Sequence, residues 1–73
     1  MERPNKPPPA RDLDEELRLR VFERVTAMNA SLLQRLATVA GDLDAGRHRA
    51  ALGGLDGIEQ QIVAMRSLLL LLP

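Results

Sequence analysis

Apolar residues follow helical spacing through most of this chain, and two separate series of them predict two helices. The first series advances by three or four residues at a time from Leu17 to Val39, close to the period of an α-helix. This pattern predicts one long helix with a broad apolar side. The series contains Leu17, Val21, Val25, Met28, Leu32, Leu36 and Val39, and it is widened by Phe22, Leu33, Ala40 and Leu43.

A capping signal marks the predicted start of the first helix. Asp12 precedes Glu15 in the spacing of a capping box, with aspartate in place of the usual serine or threonine. The surrounding acidic residues add negative charge to the first turn, where the helix dipole favours it. The predicted helix therefore covers about 12–45. Residues 1–11 hold all but one of the prolines, so we expect a flexible, extended arm there.

The second apolar series has the spacing of a coiled-coil seam. It steps alternately by three and four residues from His48 to Leu72, which is a heptad pattern. This spacing predicts a second helix over about 47–72, ended by Pro73. The members of the series are His48, Ala51, Leu55, Ile58, Ile62, Met65, Leu69 and Leu72.

Two glycines compete for the turn between the helices. Either Gly41 or Gly46 is able to take the left-handed conformation that closes a helix, and the sequence leaves both open. Gly46 is the preferred position because it keeps Leu43 on the first apolar stripe. A turn there would set residue i of an antiparallel hairpin roughly opposite residue 92 minus i.

Three glycines of the second helix require an explanation, because each costs a helix about 1 kcal/mol relative to alanine. These are Gly53, Gly54 and Gly57. The hairpin register places Val39 beside Gly53, so close approach of the two backbones near the turn is the expected reason. The sequence therefore predicts close packing at all three glycines.

The predicted hairpin has more apolar surface than it can cover. The first helix would extend past the second, leaving Leu13, Leu17 and Leu19 without a partner, and the leucine run at residues 68–72 exceeds what one neighbouring helix can bury. An exposed apolar patch of this kind usually marks an interface. The expected contact residues are Leu13, Leu17, Val21, Phe22, Val25, Met28, Leu55, Ile58, Ile62, Met65, Leu69 and Leu72.

Composition favours association over the other ways of stabilising a small core. The chain has 73 residues, no cysteine and one histidine, His48, so disulfides are excluded and a metal or other cofactor is not expected. His48 has no second histidine or paired serine at a useful spacing, and the serines and threonines lie on predicted helices without a nucleophile turn. We therefore expect a protein that is not an enzyme.

Charge and hydropathy give no support to nucleic acid or membrane as a partner. Ten basic and ten acidic residues balance to zero, and Phe22 is the single aromatic residue available for base stacking. The apolar run at residues 62–72 is interrupted by Arg66 and is shorter than the about 20 residues that a spanning helix needs. The start of the chain has no apolar core typical of a secretion signal, so we expect a cytoplasmic protein.

The turn and the second helix resemble a known family. The turn Leu43-Asp44-Ala45-Gly46-Arg47, followed by the glycine-rich segment 51–60, resembles the small helical-hairpin co-chaperones of type III secretion. The resemblance covers roughly residues 31–66. It implies a larger tetratricopeptide-like chaperone as partner, with which such a subunit keeps the needle protein soluble before export.

Together these patterns predict an all-α protein, an antiparallel helical hairpin with a proline-rich arm, assembled into a bundle or coiled coil. The predicted function is a protein–protein interaction module that self-associates or completes its core with a helical partner, such as a co-chaperone or assembly subunit. The alternative is a small antitoxin-like or nucleic-acid-binding regulator. It would dimerise through the second helix and present Arg18, Arg20 and Arg24.

Overall fold

The computed structural model describes the backbone of residues 10–73 and the side chains of residues 13–73. Within this part of the chain there are two α-helices and no strand, which confirms the predicted all-α hairpin. Helix α1 spans Ala10–Asp44 and helix α2 spans His48–Leu69. The predicted flexible arm falls mainly on residues 1–9, which lie outside the described residues.

The helix ends differ from the predicted ones by one to three residues. Helix α1 begins at Ala10, which places Asp12 inside the helix, and the predicted capping role of Asp12 lies outside the described side chains. Helix α2 ends at Leu69 because the next turn tightens. The amide of Leu72 donates to the carbonyl of Leu69 at 3.1 Å, a spacing of three residues, not four. Pro73 contributes to this ending, since the residue before a proline avoids the α conformation.

The turn closes at Gly46 and not at Gly41, which lies within α1. Gly46 has a φ of +74°, the left-handed conformation that glycine adopts without steric cost. Its amide donates to the carbonyl of Leu43 at 3.1 Å, and the amide of Arg47 donates to the carbonyl of Asp42 at 2.7 Å. These two bonds form a Schellman motif, which satisfies carbonyls at the end of α1.

A side-chain pair reinforces the same turn. The Nε of Arg47 donates to Oδ1 of Asp42 at 3.0 Å, and the Nη2 of the same guanidinium lies 3.0 Å from that oxygen. The Asp42 side chain is only 13% exposed, whereas the Arg47 side chain is 61% exposed. The pair therefore ties the last residue of the connection back onto the last turn of α1.

The two helices run antiparallel, and three contacts define their register. A Cβ added to Gly54 would lie 2.7 Å from Cγ2 of Val39, and one added to Gly57 would lie 3.0 Å from Nη1 of Arg35. Further from the turn, α2 hydrogen-bonds to the backbone of α1 through Gln61. Facing residue numbers rise on one helix as they fall on the other, close to the expected register.

One glycine position corrects the predicted packing. Nothing lies within 4 Å of a Cβ placed on Gly53, because that residue points away from α1. Gly54 occupies the place opposite Val39 that was expected of Gly53. The close approach of the helices therefore involves Gly54 and Gly57, and Gly53 has open space around it.

The buried core is small. Only Val21, Val39, Ala51 and Ile58 are buried among the described residues, each at most 6% exposed. Leu32 packs against the cluster formed by three of them. Half-buried side chains extend this core toward the open end of the hairpin.

Candidate functional site

The contact between the helices follows one heptad seam, which we call the inner seam. On α2 its residues recur at alternating steps of three and four, and on α1 they follow the same rhythm. All are buried or half-buried except Arg35, which lies against Gly57. The inner seam consists of Val21, Val25, Met28, Leu32, Arg35, Val39 and Asp42 on α1, of Ala51, Gly54, Ile58, Gln61, Met65 and Leu68 on α2, and of Leu72 just after the end of α2.

Only half of the predicted α2 seam belongs to this contact. Ala51, Ile58, Met65 and Leu72 face α1, but the intervening members of the predicted series do not. Those members are exposed, with Leu55 at 42%, Ile62 at 48% and Leu69 at 41%, and His48 is exposed as well. The reason is steric: Gly54 allows the helices to come close, and a leucine in its place would overlap Val39.

A glutamine takes one of the places that an apolar residue was expected to fill. The Nε2 of Gln61 donates to the backbone carbonyl of Met28 at 2.6 Å, and the bond is partly buried. Such a bond fixes the two helices relative to each other, because it joins a side chain on one to a defined carbonyl on the other. The sequence signal was its position, three residues after Ile58 and four before Met65.

One side of the hairpin carries an open groove of about 450 Å³. Six residues line the groove. Four of them directly precede an inner-seam residue in the sequence, and the other two belong to the inner seam. Positions that precede the seam on both helices therefore share this side, which we call the groove side. The groove is lined by Arg24, Met28, Ala64, Ser67, Leu68 and Leu71.

Residues that directly follow an inner-seam residue lie on the side of the hairpin opposite the groove side, since each residue turns a helix by about 100°. We call this side the outer face. Its large apolar side chains are between 41% and 60% exposed. They are Phe22, Leu33, Leu36 and Leu43 on α1, and Leu52, Leu55, Ile62 and Leu69 on α2.

The two broad sides of the hairpin differ in chemistry. The outer face carries eight large apolar side chains, interrupted by polar residues such as Asn29, Glu59 and Arg66. The groove side carries mainly small and polar residues, including Ser31, Gln34, Thr38, Gly53, Gln60 and Ser67. Apolar surface is therefore concentrated on one side, which is the candidate site.

The structure divides the predicted contact residues into three groups. Val21 and Ile58 are buried inside the hairpin, where Val25, Met28, Met65 and Leu72 are half-buried. A second group lies on the outer face: Phe22, Leu55, Ile62 and Leu69. Leu13 and Leu17 form the third group, 53% and 41% exposed on the part of α1 that extends past α2.

The side chains considered for catalysis and metal binding lie on both helices. Among residues 13–73, no three histidine, aspartate or glutamate side chains come together as a metal site. His48 is exposed at the start of α2, and the Oγ1 of Thr38 donates to the carbonyl of Gln34 at 3.2 Å. Neither described helix has a stretch long and apolar enough to cross a membrane.

The arginines proposed for nucleic-acid contact do not form one surface. Arg20 lies 3.7 Å from Glu16 one turn earlier on α1, and Arg24 lines the groove. Arg18 and Arg20 are two residues apart, which turns their side chains to nearly opposite sides of a helix. A continuous phosphate-binding stripe is therefore not built from these residues.

Comparison with known protein families, curated proteins and solved structures finds no match to this chain. The resemblance to type III secretion co-chaperones therefore stays a prediction. The argument for function depends on the geometry and chemistry of the hairpin.

Proposed function

We propose that this protein is a non-enzymatic interaction module whose outer face is covered by another helical surface. The observation that carries the proposal is an imbalance between buried and exposed apolar residues. Four residues form the buried core, while fourteen large apolar side chains of the described residues are more than 40% exposed. Eight of the fourteen lie together on the outer face, and an exposed apolar patch of that size often has a binding function.

The size of the outer face supports this interpretation. Eight side chains that are about half exposed leave on the order of 600 Å² of apolar surface on one side of the hairpin. The largest apolar patch on a typical monomer is about 300–600 Å² and often has a function. Covering such a surface would contribute about 15 kcal/mol before the costs of association are subtracted.

Coverage by another helical surface also supplies what a short hairpin lacks. A single core in a chain of this length rarely provides more than about 3–5 kcal/mol. This chain has no cysteine, so disulfides cannot make up the difference. Association remains as the source of stability, and an oligomer or coiled-coil assembly in the cytoplasm would provide it.

The resemblance in the turn and in α2 suggests a biological setting for such a module. The Schellman turn at Gly46 and the close approach at Gly54 give physical roles to two of the residues that carry the resemblance. We extend the proposal to a small co-chaperone or assembly subunit of a type III secretion system. An antitoxin-like or nucleic-acid-binding role has less support, because the arginines it requires are dispersed over α1.

Size-exclusion chromatography with light scattering tests the proposal. We expect a native mass above the 8.1 kDa of one chain at micromolar concentration, alone or on addition of a helical partner. Leu69→Asp should lower this mass, because it places a charge within the outer face. The matched control is Leu70→Asp, since Leu70 is 75% exposed next to Leu69 but does not belong to the outer face. A folded wild-type chain that stays single and binds nothing would contradict the proposal.

A further inference from the structure

We propose that the outer face docks on the outer face of a second copy of this chain, with the two turns at opposite ends of a four-helix bundle. The inference rests on the proposed function, since it names the partner that covers the outer face. In this arrangement a two-fold axis lies in the interface and crosses the helices at right angles. Each helix then lies antiparallel to its own counterpart.

The apolar residues of α2 are arranged symmetrically about one position. Leu55, Ile62 and Leu69 lie seven residues apart on the outer face, and all three are 41–48% exposed. A two-fold axis at Ile62 places this side chain on Ile62 of the second copy. The same axis places Leu55 on Leu69 of the second copy, so the α2 stripe is complementary to itself.

Two charged residues fit the same axis. Glu59 and Arg66 directly follow Ile58 and Met65 of the inner seam, so they lie on the outer face, one on either side of Ile62. Rotation about the axis brings Glu59 within one residue of the position opposite Arg66 of the second copy, so the two long side chains can pair, and the reciprocal pair forms as well. The ion pairs of the described residues, Arg20–Glu16 and Arg47–Asp42, involve neither side chain.

The alternative arrangement, with both turns at the same end, would not pair these charges. There α1 of one copy would cover α2 of the other at the same height. Glu59 would then lie against Leu33 of the second copy, according to the hairpin register. Charge complementarity across an interface fixes the relative orientation of partners more than it raises affinity, and here it favours the turns at opposite ends.

Helix α1 gives the same axis independently. Phe22, Asn29 and Leu36 lie seven residues apart on the outer face, and Asn29 is at the height of Ile62, beside the bond between Gln61 and Met28. The axis therefore sets Phe22 on Leu36 of the second copy. Asn29 meets Asn29, and an amide both donates and accepts hydrogen bonds, so the pair satisfies itself. A buried asparagine pair also fixes the register of a helical bundle.

The extra length of α1 has a place in this dimer. Asn29 lies near the middle of α1, which spans Ala10–Asp44, so the two copies of α1 overlap along almost their whole length. The turn end of the second copy then reaches Leu19, which lies three residues before Phe22 on the same side of α1 and is not covered by α2 of its own chain. Leu19 is 58% exposed in the single hairpin.

The area of the outer face approaches what a stable dimer buries. Standard protein–protein interfaces bury about 800 Å² on each partner. The large apolar residues of the outer face supply on the order of 600 Å², and the overlapping part of α1 adds to it. A second copy also has an outer face of the same length and curvature. A larger partner would need a surface that matches both.

Spin-label distances test the arrangement, because the chain has no cysteine to interfere with labelling. A single label at Asp44→Cys lies near the turn, 15 residues from Asn29. At about 1.5 Å per residue, turns at opposite ends place the two labels roughly 45 Å apart along the bundle. Turns at the same end would bring them within roughly 20 Å.

A charge exchange tests the pairing between Glu59 and Arg66. Glu59→Arg and Arg66→Glu should each weaken the dimer roughly tenfold in sedimentation equilibrium, since each creates two like-charge contacts. The double variant should restore the wild-type dissociation constant. Gln60→Arg on the groove side is the control and should change it little. If neither single exchange changed the dissociation constant, the proposed register would be wrong.

Each other outcome is equally informative. A dimer with the short label distance would overturn the arrangement but leave the proposed function intact. If the native mass rose only when a different protein was added, the outer face would not be covered by a second copy. The proposed function as an interaction module would be unaffected. A folded single chain that binds neither its own copies nor another protein would remove both proposals.

Discussion

The inner seam and the outer face run side by side along α2 with the same spacing, yet they carry different residues. The inner seam includes Ala51, Gly54 and Gln61, whereas the outer face carries Leu52, Leu55 and Ile62 at the positions one residue further on. At these three positions the hairpin closes over the smaller or more polar side chain and leaves the larger apolar one outside. In the proposed assembly, folding of one chain and association with a second would therefore use separate surfaces of the same helix.

Close approach of the two helices explains the difference. The contact of Gly54 with Val39 leaves no space even for a methyl group, since a Cβ would lie 2.7 Å from Cγ2. Large side chains are excluded from such a place and are turned outward by the helical period. The interior gains tight packing, and the exterior gains the apolar area that a partner can cover.

The largest expected effect comes from shortening the same residue type on the two surfaces. Ile58 is 6% exposed and Ile62 is 48% exposed. Ile58→Ala should lower the free energy of unfolding by about 3 kcal/mol in urea denaturation, because it opens a cavity inside the hairpin. Ile62→Ala should instead raise the dissociation constant of the dimer about tenfold in sedimentation equilibrium, since it removes contact area only from the interface. The control is Ala64→Gly, since Ala64 lines the groove on the opposite side of the hairpin. If Ile62→Ala and Ala64→Gly changed the dissociation constant equally, the separation of the two surfaces would be contradicted.

A pair of glycine substitutions should change stability in opposite directions. Gly53→Ala should raise the free energy of unfolding by about 1 kcal/mol, because it improves helix propensity and meets nothing within 4 Å. Gly54→Ala should lower it by about 1–2 kcal/mol, because its new methyl group overlaps Val39. Thermal unfolding followed by circular dichroism measures both. The proposed close approach would be wrong if Gly54→Ala stabilised the protein as much as Gly53→Ala.

The smallest effect concerns the hydrogen bond between the helices. Gln61→Ala should cost about 1 kcal/mol, since it removes the 2.6 Å bond to the carbonyl of Met28. Gln60→Ala is the control on the groove side and should leave stability within about 0.5 kcal/mol of the wild type. Urea denaturation of the two variants measures the difference. Indistinguishable midpoints would show that the bond does not contribute to the register.

The sequence was sufficient for the two helices and limited the turn to two glycines, but it did not decide between the two surfaces of α2. Apolar spacing gave both helices, and Gly46 was preferred to Gly41 because it keeps Leu43 on the first apolar stripe. The predicted seam combined Ala51 and Ile58 from the inner seam with Leu55 and Ile62 from the outer face. Both sets have heptad spacing, so a choice based on apolar size selected the larger residues.

The distance between the helices determines which residues of α2 face α1, and the apolar spacing of the sequence does not give that distance. That distance depends on which glycine meets Val39, and a shift of one residue from Gly53 to Gly54 changes which side of α2 faces α1. The role of Gln61 was missed for the same reason, because a glutamine on a seam is recognised only when a carbonyl lies within its reach. Tertiary contacts of this kind are not contained in the period of either helix alone.

The most direct test of the central claim is the dependence of thermal unfolding on protein concentration. If the outer face is covered by a second copy, dilution favours the separated and unfolded chains. The midpoint measured by circular dichroism should then rise by roughly 3–6 °C for each tenfold increase in concentration. The proposed dimer would be contradicted if the chain were fully helical before unfolding and its cooperative transition had the same midpoint from micromolar to millimolar concentration.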